Sequence, residues 1–101
     1  MAFTIVINLY AKDGKDVEEQ LRAKLIEASQ AFSKHDGIIG WYPLQNTTDS
    51  RKWTVITRCE QESILDQHRE LPESKAFMEA LLPLLENGKD SVDPQVSKEL
   101  L

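Results

Sequence analysis

Hydrophobic periodicity changes once within the first thirty-four residues, and that change restricts the chain to mixed α and β architectures. Phe3, Ile5, Ile7 and Leu9 make one wholly apolar face of a strand over 3–10, while Thr4, Val6, Asn8 and Tyr10 make a mixed face. Asp13-Gly14 breaks the strand. From Asp16 to Lys34 the spacing becomes helical. Val17, Leu21, Leu25, Ala28 and Phe32 fall on one stripe, with Glu18, Arg22 and Glu27 opposite. Asp16 and Glu19 have the spacing of a capping box, Asp13 is an alternative cap, and Gly37 is a stop signal.

Two strands follow, Ile38 to Gln45 and Lys52 to Glu60, joined by the polar turn Asn46-Thr47-Thr48-Asp49-Ser50. Pro43 has no N–H to donate, so its strand is an edge or carries a bulge. Glu62 to Leu71 reads as a short helix with Ile64, Leu65, His68 and Leu71 on one side. Pro72 interrupts it, and Ser74 is placed to cap a further helix through Leu85, with Phe77, Leu81 and Leu84 or Leu85 inward. Pro83 should kink or end that helix. Residues 87–101 form a tail whose strand signal, around Gln95 to Leu101, is weak. The order predicts one α+β domain over 1–101, a ferredoxin-like βαββαβ plan with an antiparallel sheet. Helices cover one sheet face. The other is expected to expose Trp53, Val55 and Tyr42, an apolar patch that a second copy would cover as a homodimer.

Length and charge narrow the partners. A 101-residue chain buries roughly 65% of the surface its unfolded form exposes, a thin core that pairing would help. Seventeen acidic against twelve basic residues leave a net charge of −5, which disfavours nucleic acid and anionic lipid. Cys59 is the only cysteine, so no internal disulfide forms. The apolar run from Phe3 to Leu9 is interrupted by Thr4 and Asn8 and has no basic flank. It is neither a signal peptide nor a membrane span, and the chain is read as cytoplasmic.

The segments YAKDGK (10–15), HDGIIGWYPLQN (35–46), KWTVITRCEQESILDQH (52–68) and LPESKAFMEALLPLL (71–85) resemble the antibiotic biosynthesis monooxygenase (ABM) family, the dimeric α/β barrels, over residues 3–86. The shared features are Gly37 before strand two, the hydrophobic strand Trp53 to Cys59, and an acidic helix ending in His68 with Pro72 four residues on. The resemblance implies a dimer and several chemistries: cofactor-independent oxygenation of phenolic polyketides and quinols, haem degradation, or isomerisation of small carbonyl compounds. Asn8 matches the strand-one asparagine of haem-degrading members. Cys59 and Leu81 stand where those members carry tryptophan and histidine, which argues against haem. Glu73 replaces the second histidine, directly after the proline, of many quinol-oxidising and isomerase members.

His68 is the candidate base, since a neutral imidazole accepts a proton from a phenol or activated C–H. A histidine that only packs is the alternative. Asn8 could hold a carbonyl or oxyanion, or simply bond a neighbouring strand. Tyr42, Trp53, Thr57 and Cys59 are expected on the uncovered face as substrate contacts, with Val55 filling the dimer core. Phe77 joins Trp53 as an apolar wall. Trp41, of opposite parity to Tyr42, belongs under the helices. Cys59 has no base adjacent in sequence and reads as a small apolar group rather than a nucleophile. His35 and His68, the two histidines, lack metal-ligand spacing, and no phosphate loop, dinucleotide fingerprint or G-x-S-x-G occurs. The expectation is an oxygenase of a small anthrone, quinol or phenol that uses no metal or cofactor. A non-oxidative isomerase or lyase and a non-catalytic ligand-binding dimer are the alternatives. An RNA-binding domain on the same plan is disfavoured by charge.

Overall fold

The computed structural model describes residues 2–100. Its elements are β1 (Phe3–Tyr10), α1 (Lys15–Phe32), β2 (Ile38–Gln45), β3 (Lys52–Cys59), α2 (Glu62–Glu70), α3 (Pro72–Leu81) and β4 (Asp93–Lys98), with short 3-10 turns at Leu82–Leu84 and Gly88–Ser91. The sheet order is β2-β3-β1-β4, antiparallel throughout, which is the ferredoxin-like arrangement. Among the described residues no helix is long and apolar enough to cross a membrane.

Local chemistry explains most boundaries. Helix α1 begins one residue earlier than its pattern suggests, with Gly14 at the cap position at φ 127° and no side-chain cap bond. The capping box does not form because Asp16 already lies in the first turn, where its charge complements the helix dipole instead. Asp13 accepts a 3.0 Å bond from the Gly14 N–H. Strand β2 is an edge strand, which tolerates Pro43 opposite Val55, and it also shifts register at its start, between Ile38 and Gly40. Ser74 does not cap α3. Leu71 holds the cap position and Pro72 opens the helix, where a missing N–H is harmless. Pro83 ends α3 as expected, by turning it into the 3-10 segment.

The tail supplies β4, paired to β1 from Phe3↔Lys98 to Asn8↔Asp93. All six of its residues are exposed, so it has no buried alternation to advertise it in sequence. The expected end of this strand, Leu101, lies outside the described residues. Beyond β4 the Glu99 N–H donates to the Ala2 carbonyl at 2.8 Å. The Glu99 carboxylate accepts from Arg58 at 2.8 and 3.0 Å and from the Thr4 hydroxyl at 2.7 Å.

The assignment of β3 to the two faces requires correction. Its register with β1 pairs Leu9↔Trp53, Ile7↔Val55, Ile5↔Thr57 and Phe3↔Cys59. Cross-strand partners share a face. Trp53, Val55, Thr57 and Cys59 therefore lie with the apolar side of β1, under the helices, and not on the uncovered face. Trp53 is 4% exposed, whereas Tyr42, opposite Ile56 on the uncovered face, is 46% exposed. The main core unites Trp53, Val55, Leu9 and Trp41 with Leu21, Leu25, Ala28 and Phe32 of α1. A smaller cluster of Ile5, Ile38, Cys59 and Leu65 lies under α2.

Candidate functional site

Where the sheet passes from α1 to the α2–α3 pair the packing opens into a cavity of about 300 Å³. Its floor is alternate strand residues: Ile5 and Ile7 of β1, Thr57 of β3 and Trp41 of β2. Leu65 and His68, three apart on α2, form one wall, and Ser74, Phe77 and Met78 of α3 form another. Phe32, the last residue of α1, closes the end. Arg69 and Lys75 stand at the rim with their own acidic partners, Asp66 at 3.8 Å and Glu70 at 3.2 Å.

Aromatic edges set the walls. The Phe32 ring meets His68 at 4.9 Å, Phe77 at 5.5 Å and Trp41 at 5.8 Å, and Trp41 meets Phe77 at 5.7 Å, all edge-to-face. Such a cluster offers flat apolar surface and little polar competition. Within it, the Nδ1 of His68 and the hydroxyl of Ser74 are buried without hydrogen-bond partners. Burial holds His68 below the usual histidine range, the neighbouring His35 adds to the effect, and Glu73 opposes it. The imidazole is thus neutral at physiological pH and available as a base.

An open cleft of about 420 Å³ lies outside the cavity, lined by His35, Asp36, Gln67, His68 and Glu73 among others. Among the described residues no three His, Cys, Asp or Glu side chains converge as a metal site.

The structure brings His68, Thr57 and Phe77 together in the cavity, sets Asn8 and Trp53 on a separate surface pocket of about 390 Å³, and places Tyr42 and Cys59 on neither. Asn8 is exposed on the uncovered face, where its Oδ1 accepts from the Thr54 hydroxyl at 2.9 Å. Tyr42 is on that same face, in β2. Trp53 is core beneath α1, with the Arg22 guanidinium 6.0 Å from its ring centroid. Cys59 is fully buried. Its thiol contacts the carbonyls of Gln61 at 3.2 Å and Phe3 at 3.6 Å, and burial raises its pKa, as suits an inert thiol. Sequence reasoning missed Ile5, Ile7, Phe32, Trp41, Leu65, Ser74 and Met78 as cavity residues. The apolar ones read as core by period, and a cavity wall has the same pattern as a filled core.

The family model for antibiotic biosynthesis monooxygenase matches residues 2–80. No curated protein matches the sequence. Solved structures with the same fold include Rv0793 from Mycobacterium tuberculosis, 18% identical, with a TM-score of 0.83 over 99% of this chain and 96% of that one. PA3566 from Pseudomonas aeruginosa is 19% identical, with a TM-score of 0.83 over 99% and 95%. A variant of SnoaB, a cofactor-independent oxygenase from Streptomyces nogalater, is 10% identical, with a TM-score of 0.82 over 99% and 94%. At these identities the likeness is one of fold. The match of sequence to family model covers most of the chain, and the protein belongs to the antibiotic biosynthesis monooxygenase family.

Proposed function

We propose that the protein is a cofactor-independent monooxygenase of a small anthrone, quinol or similar phenol, working as a homodimer. The observation that carries this reading is a neutral, half-buried imidazole facing an apolar cavity walled by aromatic rings. His68 takes a proton from the substrate, and the delocalised anion transfers one electron to O₂. Superoxide and substrate radical combine, a proton returns to give the hydroperoxide, and loss of water leaves the new carbonyl. The substrate supplies every electron, so the protein's tasks are to hold it, deprotonate it and keep bulk water out. Trp41, Phe32 and Phe77 hold the ring system, and the Thr57 and Ser74 hydroxyls are the polar contacts nearest the reacting centre.

The homodimer forms through the uncovered sheet face. Tyr42 and Leu44 of β2 are large exposed apolar residues on it, and the family resemblance points to the same pairing. The cavity itself lies within one copy, between sheet and helices, so pairing steadies its floor rather than closing it.

The test is a panel of anthrones and quinols assayed with and without oxygen, on wild type and on His68→Gln. Oxygen-dependent quinone formation that falls about 100-fold or more in the variant is expected. No oxygen-dependent turnover of any panel member overturns the reading, and turnover that persists without oxygen selects an isomerase or lyase instead.

A further inference from the structure

Among the described residues His68 is the one side chain that lines both the apolar cavity and the open cleft outside it. His35 stands beside it on the cleft side, in the turn between α1 and β2. That turn is tightly held. The His35 N–H donates to the Phe32 carbonyl at 3.1 Å, and the His35 carbonyl accepts from the Ile38 N–H at 3.1 Å. Gly37 has φ 81° and a Cβ there would come within 2.7 Å of Ile64, so glycine is required on both counts. The His35 ring lies 5.4 Å from Phe32 and 5.7 Å from His68 between centroids. The Nδ1 atoms of both histidines are buried, and neither has a hydrogen-bond partner. Buried ring nitrogens without partners are uncommon, and here two belong to rings in contact.

We propose that His35 is the outer station of a two-imidazole relay that carries protons between His68 in the cavity wall and water in the cleft. The inference rests on His68 being the base of the cavity. Neutral His68 takes the substrate proton on one ring nitrogen and passes the proton of its other nitrogen to His35, which sheds a proton to water. In this half-step the substrate loses one proton and the solvent gains one; the reverse passage returns one proton for the hydroperoxide and restores both rings to their starting neutral tautomers. Rotation of either ring, or one bridging water, brings the separation within hydrogen-bond reach.

The surroundings favour outward transfer. Lys34 and Asp36 flank His35 on its turn, Gln67 of α2 and Glu73 of α3 face the cleft, and Arg69 and Lys75 stand at the cavity rim. Glu73 favours a proton on His68, but burial and the nearby His35 outweigh it, so His68 does not retain the charge. His35 is a positioning and relay residue that reaches substrate only through His68.

Ring-nitrogen NMR titration of wild type, His35→Gln and His35→Phe tests this without substrate. The relay predicts that both variants raise the titration midpoint of His68 toward the ordinary histidine value. It also predicts that exchange of the His68 ring proton with water slows about tenfold or more, and that added imidazole restores it. His35→Phe keeps the aromatic contact, so wild-type melting temperature with slowed exchange separates relay from packing. Unchanged His68 midpoint and exchange in both variants overturn the relay. A working relay with no turnover of the panel above overturns the oxygenase reading instead.

Discussion

Ile5, Ile7 and Leu9 of β1 point under the helices, while Thr4, Val6, Asn8 and Tyr10 of the same strand point away from them. The covered face is packed solid beneath α1, and where it passes to the α2–α3 pair it holds the cavity beside the Ile5, Ile38, Cys59 and Leu65 cluster. The uncovered face is half-wet and organised by polar links: Thr54 to Asn8, and Arg58 with Thr4 to Glu99. Stability and the candidate chemistry therefore share one face of the sheet, and the proposed association would use the other. The candidate cavity lies between the sheet and the helices of one chain.

The largest test of that division is a pair of truncations. Trp53→Ala removes a core side chain and is expected to cost about 3–5 kcal/mol in denaturant unfolding. Tyr42→Ala should stay within about 0.5 kcal/mol of wild type, with any further loss depending on protein concentration as a dimer contact requires. Equal, concentration-independent losses would contradict the assignment of faces.

Next in size is Leu44→Glu on the uncovered face. The proposed dimer should dissociate at micromolar concentration in sedimentation experiments while the circular dichroism spectrum stays native. A variant that remains dimeric would place the interface elsewhere.

Two pH effects sharpen the contrast further. His68 is held below its ordinary value in the folded protein, so the unfolded chain binds its proton first as pH falls. The resulting stability is complete above the usual histidine range and declines as pH drops through it. In thermal melts between about pH 8 and pH 5, His68→Gln should flatten that slope.

The smallest effect concerns Glu99. Its bonds to Arg58 and then to Thr4 lower its pKa from 4.5 to about 2. Its contribution is present above the ordinary carboxylate range and is lost as pH falls from there toward about 2. Amide exchange of β4 should quicken across that interval in wild type and show no such step in Glu99→Gln. The pair is only partly buried, so the change should be small and confined to the tail strand.

The first three strands and the three helices were legible in the sequence because each has a strong period or a proline to mark it. Strand β4 was faint because an exposed edge strand needs no alternation. Of the cavity, the sequence marks His68, Thr57 and Phe77, though its pattern puts Thr57 on the opposite face. Ser74 was read as a cap, since a serine after a proline has that signature whether or not its hydroxyl is used. His35 was noted only for what it could not ligate, because nothing in linear order shows that the α1–β2 turn sets it against α2.

The sequence by itself determined which segments are strands and helices, since a period of two and a period near 3.6 bury apolar residues on different geometries. It also determined the family. Which side of β3 meets the helices was decided only by pairing. That strand offers apolar residues on both parities, with Trp53 and Val55 on one and Ile56 on the other. A shift of one residue in register exchanges the two faces completely. The choice was made by Ile5, Ile7 and Leu9 across the ladder and by the helices above them, and with it the cavity came to lie inside each copy.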